Sequence, residues 1–139
     1  MTSSRKTLTV AGIALLICFG AALSGGFYLF ASSRGTTEPV REATEAFLRD
    51  LETGNLDSAY GKLCRETQAN YPPDSFTAVV RAQANLASHR ILGVTVNTVN
   101  GRRSGQVTAE LNHANGFTDR RSILLVLQDD VWKVCGSPY

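Results

Sequence analysis

The chain has 139 residues and a formal net charge of +2, with 14 Lys and Arg against 12 Asp and Glu. Arg5, Lys6 and Arg34 all precede the first acidic residue, Glu38, so the rest carries eleven basic against twelve acidic groups, a net of −1. A nucleic-acid footprint needs concentrated positive charge, which this distribution excludes. The 105 residues from Gly35 to Tyr139 suffice for one domain with a single core.

The first predicted element is Leu8 to Ala31 (LTVAGIALLICFGAALSGGFYLFA), which contains no charged residue. At about 1.5 Å rise per residue it covers the hydrocarbon core of a bilayer. Arg5 and Lys6 ahead of it favour a cytoplasmic N-terminus, and Tyr28 suits the headgroup level at the far end. The expected layout is a stub and single-pass transmembrane anchor over 1–31, a polar linker over 32–38, and an extracytoplasmic domain over 39–139. The bilayer would be contacted through residues 8–31. The alternative is a secretory signal removed after Ala22-Leu23-Ser24 or Ala31-Ser32-Ser33. The apolar run is long for one, since signal cores span roughly 7–15 residues. A lipoprotein signal at Cys18 is disfavoured by Ile17, where a small residue is wanted, and Cys18 in a span has no chemistry to do.

Thr36 or Thr37 can cap the next helix, Pro39 suits its first turn, and Gly54 suits its end. Val40, Ala43, Phe47, Leu48 and Leu51 make its apolar stripe. A second helix starts at Asn55 or Asp57 and places Leu56, Ala59, Tyr60 and Leu63 on one face, which Cys64 extends. Tyr71-Pro72-Pro73 breaks the pattern. Asp74 or Ser75 then caps a third helix, with Phe76, Val79, Val80, Gln83 and Leu86 or Ala87 inward.

After Ser88 the period changes to two. Ile91 to Val99 alternates, with Leu92, Val94 and Val96 on one side. Asn100-Gly101 begins a turn. Gln106 to His113 follows, with Val107, Ala109 and Leu111 inward. Asn115-Gly116 is the strongest hairpin signal, because both residues tolerate positive φ. Arg121 to Gln128 is apolar on both faces at its middle, as a central strand would be. Asp129-Asp130 turns into a last strand, Val131 to Cys135. Three helices followed by four hairpin-linked strands predict an α+β domain, its helices packed on one face of a four-stranded antiparallel sheet.

The stretch VREATEAFLRDLETGNLDSAYGKLC and the ending DDVWKVCGSPY carry a resemblance. The run Gly54-Asn55-Leu56-Asp57-Ser58-Ala59-Tyr60 closing the first helix, and Trp132 to Cys135 in the last strand, resemble the nuclear-transport-factor-2-like (cystatin-like) α+β superfamily. More narrowly they resemble its small exported actinobacterial domains of unknown function. The resemblance spans roughly residues 38–136. It implies a cone-shaped arrangement of helices and sheet, and a superfamily that often pairs through its open sheet face. It is silent on activity, since this fold hosts isomerases, dehydratases, transport factors and non-catalytic modules.

In an oxidising compartment, Cys64 and Cys135 are expected to form a structural disulfide; two buried free thiols or a redox pair are the alternatives. His89, at a helix-to-strand junction, reads as a surface residue. His113 lies near the Asn115-Gly116 turn, and neither histidine has the neighbours of a triad or zinc site. Candidates for a pocket in the cone are Tyr60, Tyr71 and His113, with Asp74 weighed and assigned to capping. No strand offers an inward carboxylate: Glu110 falls on a polar face and Asp119 in a turn. Arg102-Arg103 and Arg120-Arg121 fall at opposite ends of the sheet, and no glycine-rich phosphate loop follows a strand. No metal or cofactor is expected. These features point to a non-catalytic binding or interaction domain for a partner protein, a lipid or a small ligand, with a homodimer or an envelope protein as partner. The alternative is a small isomerase or lyase acting on an apolar substrate in the cone.

Overall fold

The part of the chain with helical spacing becomes four helices in the computed structural model, which describes residues 36–137. The anchor expected over 8–31 and the linker residues 32–35 lie outside the described residues. Among the described residues no helix is long and apolar enough to cross a membrane. Helix α1 occupies 36–53. Thr36 and Thr37 are therefore helical rather than caps, and residues 36–38, read as part of a linker, lie in the first turn of α1.

Val40, Phe47, Leu48 and Leu51 face the core as the spacing demands, each 7% exposed or less. Thr44 shares that stripe because its hydroxyl donates to the Val40 carbonyl at 2.8 Å, which satisfies the one polar atom it buries. Gly54 ends the helix at φ +72, with the Asn55 N–H reaching back to the Asp50 carbonyl at 2.8 Å. That is the six-to-one bond of a left-handed helix cap.

The expected second helix is two helices, α2 (Leu56–Gly61) and α3 (Arg65–Asn70). Between them the chain lies alongside the last strand. Leu63 pairs in parallel with Val134; the Val134 N–H donates to the Lys62 carbonyl at 2.9 Å, and the Cys64 N–H to the Val134 carbonyl at 2.7 Å. Long-range pairing thus overrides a periodicity that reads as one helix. Helix α4 (Pro73–Ala82) starts from Pro72, so Asp74 and Ser75 sit inside it and no side chain caps it. Phe76 is its one fully buried residue.

Four antiparallel strands follow in sheet order β1 (Leu86–Val99), β2 (Arg102–His113), β3 (Thr118–Gln128) and β4 (Val131–Cys135). Leu86 belongs to β1, not to the preceding helix. Val107, Ala109 and Leu111 are buried as expected, together with Leu125 and Val134. In β1 the inward set is Ile91, Val94 and Val96; Leu92 is 41% exposed. The register explains this. Ile91 faces Ala109 and Gly93 faces Thr108, so Leu92 is an unpaired bulge that shifts the alternation by one.

Turn chemistry also differs from expectation. Asn100-Gly101 and Asp129-Asp130 make two-residue turns with both residues at positive φ. At Asn115-Gly116 only Gly116 has positive φ, and the His113 N–H closes a longer loop onto the Phe117 carbonyl at 2.8 Å. Among the described residues the fold is therefore α+β, with four helices rather than three and a four-stranded antiparallel sheet.

Asp50 near the end of α1 forms an ion pair with Lys62, which fixes α1 to the break after α2. Burial raises the Asp50 carboxyl's pKa, but hydrogen bonds from Lys62 and Ser58 outweigh it and leave the value below the ordinary 3.8. A depressed folded value stabilises the protein above the unfolded pKa and is lost as pH falls through the folded one. Asp50→Asn should therefore lower stability at neutral pH and flatten the loss of stability below pH 3.8, measured by urea titrations across that range.

Candidate functional site

Two concavities border the sheet. The first, of about 180 Å³, lies between α1 and β3. Leu48, Leu111, Ile123 and Leu124 form its apolar walls, and Arg121, Ser122 and the Cys135–Ser137 segment its polar rim. The second is an open groove of about 800 Å³ at the end of the sheet with the two-residue turns; Val99, Arg102, Arg103, Val126, Gln128 and Glu66 border it.

The inner layer between helices and sheet is otherwise filled. Phe47, Leu48, Leu63, Phe76, Leu111 and Leu125 are all fully buried there, and Val40 packs directly on Gly105. Packing of this kind fills the space between the described helices and the sheet at these positions.

Tyr60, Tyr71 and His113 do not meet in a pocket, and none of them borders either concavity. Tyr60 tilts against Phe76 with ring centres 5.6 Å apart, and its hydroxyl donates to the Gln68 carbonyl at 3.2 Å. Gln68 returns a bond to the Tyr60 carbonyl, so this pair joins α2 to α3. Tyr71 caps α3 through its backbone N–H on the Thr67 carbonyl, and its ring packs on the core. His113 is 8% exposed, sets Nδ1 3.0 Å from the Ala84 carbonyl and stacks on Phe117. Each of the three therefore also has a contact within the fold.

His89 is not at the surface. It faces inward from β1 and places Nδ1 2.5 Å from Glu52 of α1. Asp119 corrects the sequence reading as well. It is a strand residue opposite buried Leu111, hence on the inward side of β3. The sequence hides this because β3 begins at Thr118, three residues before the predicted start. Arg121 donates to the Asp119 carboxylate, and this bond holds its pKa below the ordinary value against a smaller opposing effect of burial. An ionised, paired carboxylate is a poor general acid at neutral pH. Glu110 forms an exposed pair with Arg90 on the other face.

Cys64 and Cys135 are joined by a disulfide, with Cα atoms 5.2 Å apart. Cys64 is fully buried at the start of α3, while Cys135 borders both concavities. Glu66 lies close to both sulfurs, but oxidised cysteines offer no thiolate, so this trio is not a metal centre. In the open groove the Glu66 carboxylate accepts a hydrogen bond from Gln128 at 2.8 Å, and Arg103 lies over the Trp132 ring. Among the described residues, no nucleophile with an adjacent base stands in either concavity.

No protein-family model and no curated protein sequence matches the chain. Solved structures do. A Campylobacter jejuni protein described as an NTF2-like transpeptidase aligns with 70% of this chain and 97% of its own, at 16% identity and a TM-score of 0.53. The protein Aln2 from a Streptomyces species aligns with 68% of this chain and 82% of its own, at 14% identity and a TM-score of 0.44, too loose to add weight. At such identity the first likeness shows the fold alone: it is NTF2-like.

Proposed function

We propose that this chain is a non-catalytic interaction module, tethered by residues 8–31 on the extracytoplasmic side of a membrane, which engages a partner protein through the periphery of its sheet. The charge-free segment and its basic N-terminal flank support the tether. The residues of the first helix and last strand support kinship with small exported actinobacterial domains.

The observation that carries the proposal is the filled inner layer. The small cavity between α1 and β3 presents, among the described residues, a single ionisable side chain, Arg121, already bonded to Asp119. Pockets for drug-sized ligands run to roughly 300–1,000 Å³, more than that cavity offers. A lipid tail or an apolar enzyme substrate would have to displace Phe47, Leu48 or Leu125 to enter.

Apolar probes such as a steroid or a fatty acid, added to the full chain in detergent, should leave the melting temperature and the methyl resonances of Leu48 and Leu125 unchanged. A saturable probe that shifts those resonances would restore the isomerase or lyase reading.

A further inference from the structure

We infer that the edge of β3 presented by Thr118, Arg120 and Ser122 is a docking slot for an extended peptide segment of a partner protein. The inference deepens the interaction-module reading and rests on it.

β4 is only five residues long and pairs with β3 from Leu124 to Gln128. At the next position Gly136 takes φ +94 and turns the chain off the sheet. Its N–H donates to the Thr67 hydroxyl at 3.0 Å, and the same hydroxyl approaches its carbonyl at 3.2 Å. Thr67 is itself buried, so this diversion is anchored. The remaining half of β3, from Thr118 to Ile123, therefore pairs with β2 on one side and, among the described residues, with no strand on the other.

The alternation of an antiparallel ladder says which groups are left over. Gln128 and Val131 close a two-residue turn and so form a hydrogen-bonded pair. Every second residue back along β3 aims its N–H and C=O the same way. Thr118, Arg120 and Ser122 thus present three donors and three acceptors to the open side, and all three residues are exposed.

Three features fit this edge to a peptide. Its register with β2 is unbroken, whereas β1, the other edge strand, carries two irregularities that twist its backbone away from simple pairing. The 180 Å³ cavity lies beside this edge on the inward face, bounded by Arg121, Ile123, Leu48 and Leu111, with room for one aliphatic side chain. Arg120 on the outward face is opposite Glu110, but that carboxylate is taken by Arg90, so an acidic residue in the ligand complements Arg120. Backbone pairing supplies affinity, and alternate side chains supply selectivity. A strand continuing the course of β4 would carry an apolar residue opposite Ile123 or Arg121 and an acidic one opposite Arg120.

The test uses the full chain in detergent micelles and a fluorescent peptide, acetyl-Leu-Thr-Leu-Glu-Thr-Thr-amide, with a control N-methylated at the second, fourth and sixth residues. The expected result is saturable binding with slowed amide exchange at Thr118, Arg120 and Ser122 and none at Val94 or Val96. Ser122→Pro removes one edge donor without touching the β2 ladder and should weaken binding roughly tenfold, as loss of one good hydrogen bond does. Arg120→Glu should weaken it as well, and serves if the proline variant does not fold. Equal binding of the methylated peptide, or no binding at all, overturns the slot. Concentration-dependent protection of the same amides without peptide also overturns it, because the edge then belongs to a second copy. Failure of the peptide with the inner layer still closed to apolar probes removes the slot alone; a probe lodged among Phe47 and Leu125 removes the module reading.

Discussion

Replacing Cys64 and Cys135 together by alanine should lower the free energy of unfolding by about 4 kcal/mol on the chain-entropy account. The two residues are 71 positions apart, so the bond removes a large loop from the freedom of the unfolded chain. Alanine is the better probe than serine, because Cys64 is fully buried and a hydroxyl there would need a partner. The native hydrogen bonds of Cys64 and Lys62 to Val134 stay in the variant, so the fold should survive while its margin shrinks. A domain of this size has a total stability of about 5–15 kcal/mol, and the loss is a large share of it. Urea unfolding of the variant and of the reduced protein should agree. A change under about 1 kcal/mol in both would show that the unfolded chain is already restricted by other means.

Gly105→Ala should destabilise the domain by about 2 kcal/mol through overpacking. The sign is the informative part. Glycine in a strand interior is a weakness, and alanine there would ordinarily help. Here a Cβ would come within 2.6 Å of Val40 Cγ1 and 3.1 Å of Cγ2. Val40 is β-branched, helical and fully buried, so it has neither a spare rotamer nor open space to move into. The strain must pass into the separation of α1 and β2. Combining Gly105→Ala with Val40→Ala removes both close atoms, so the double variant should be more stable than the sum of the single losses predicts. Simple additivity in thermal or urea unfolding would mean that α1 rides over Gly105 without touching it.

Local rules are legible where local forces decide. The stripe from Val40 to Leu51 and the alternation of Val107, Ala109 and Leu111 follow from burial on one face, and both hold. Asn100-Gly101 is readable because a two-residue turn needs positive φ at both positions. What escapes depends on partners far along the chain. Leu56 to Cys64 keeps helical spacing, yet Leu63 is drawn beside Val134, and nothing near residue 63 announces it. The bulge at Leu92 is invisible in a run of apolar residues, because either phase looks buried. Asp119 reads as a turn residue because the run Thr118 to Ser122 is polar and the apolar part of β3 begins only at Ile123, which places the predicted start too late.

The candidate pocket residues are hard to read for a related reason. Tyr60, Tyr71 and His113 are amphipathic residues, and a sequence does not say whether their polar atoms serve a ligand or a neighbouring backbone. Tyr60 and His113 find backbone carbonyls. The one sequence sign of the open β3 edge is Gly136 directly after Cys135, a residue that can leave a strand at an angle closed to others.

The segment between α2 and α3 has its ladder partner, and its covalent partner, in the final strand. Among the described elements, a ribosome delivers that strand after all the others. A chain stalled or cut before residue 134 therefore has no ladder partner to set against Leu63 and no covalent partner for Cys64. Closure of the domain therefore waits on synthesis past Cys135, the point at which both the ladder partner and the covalent partner exist.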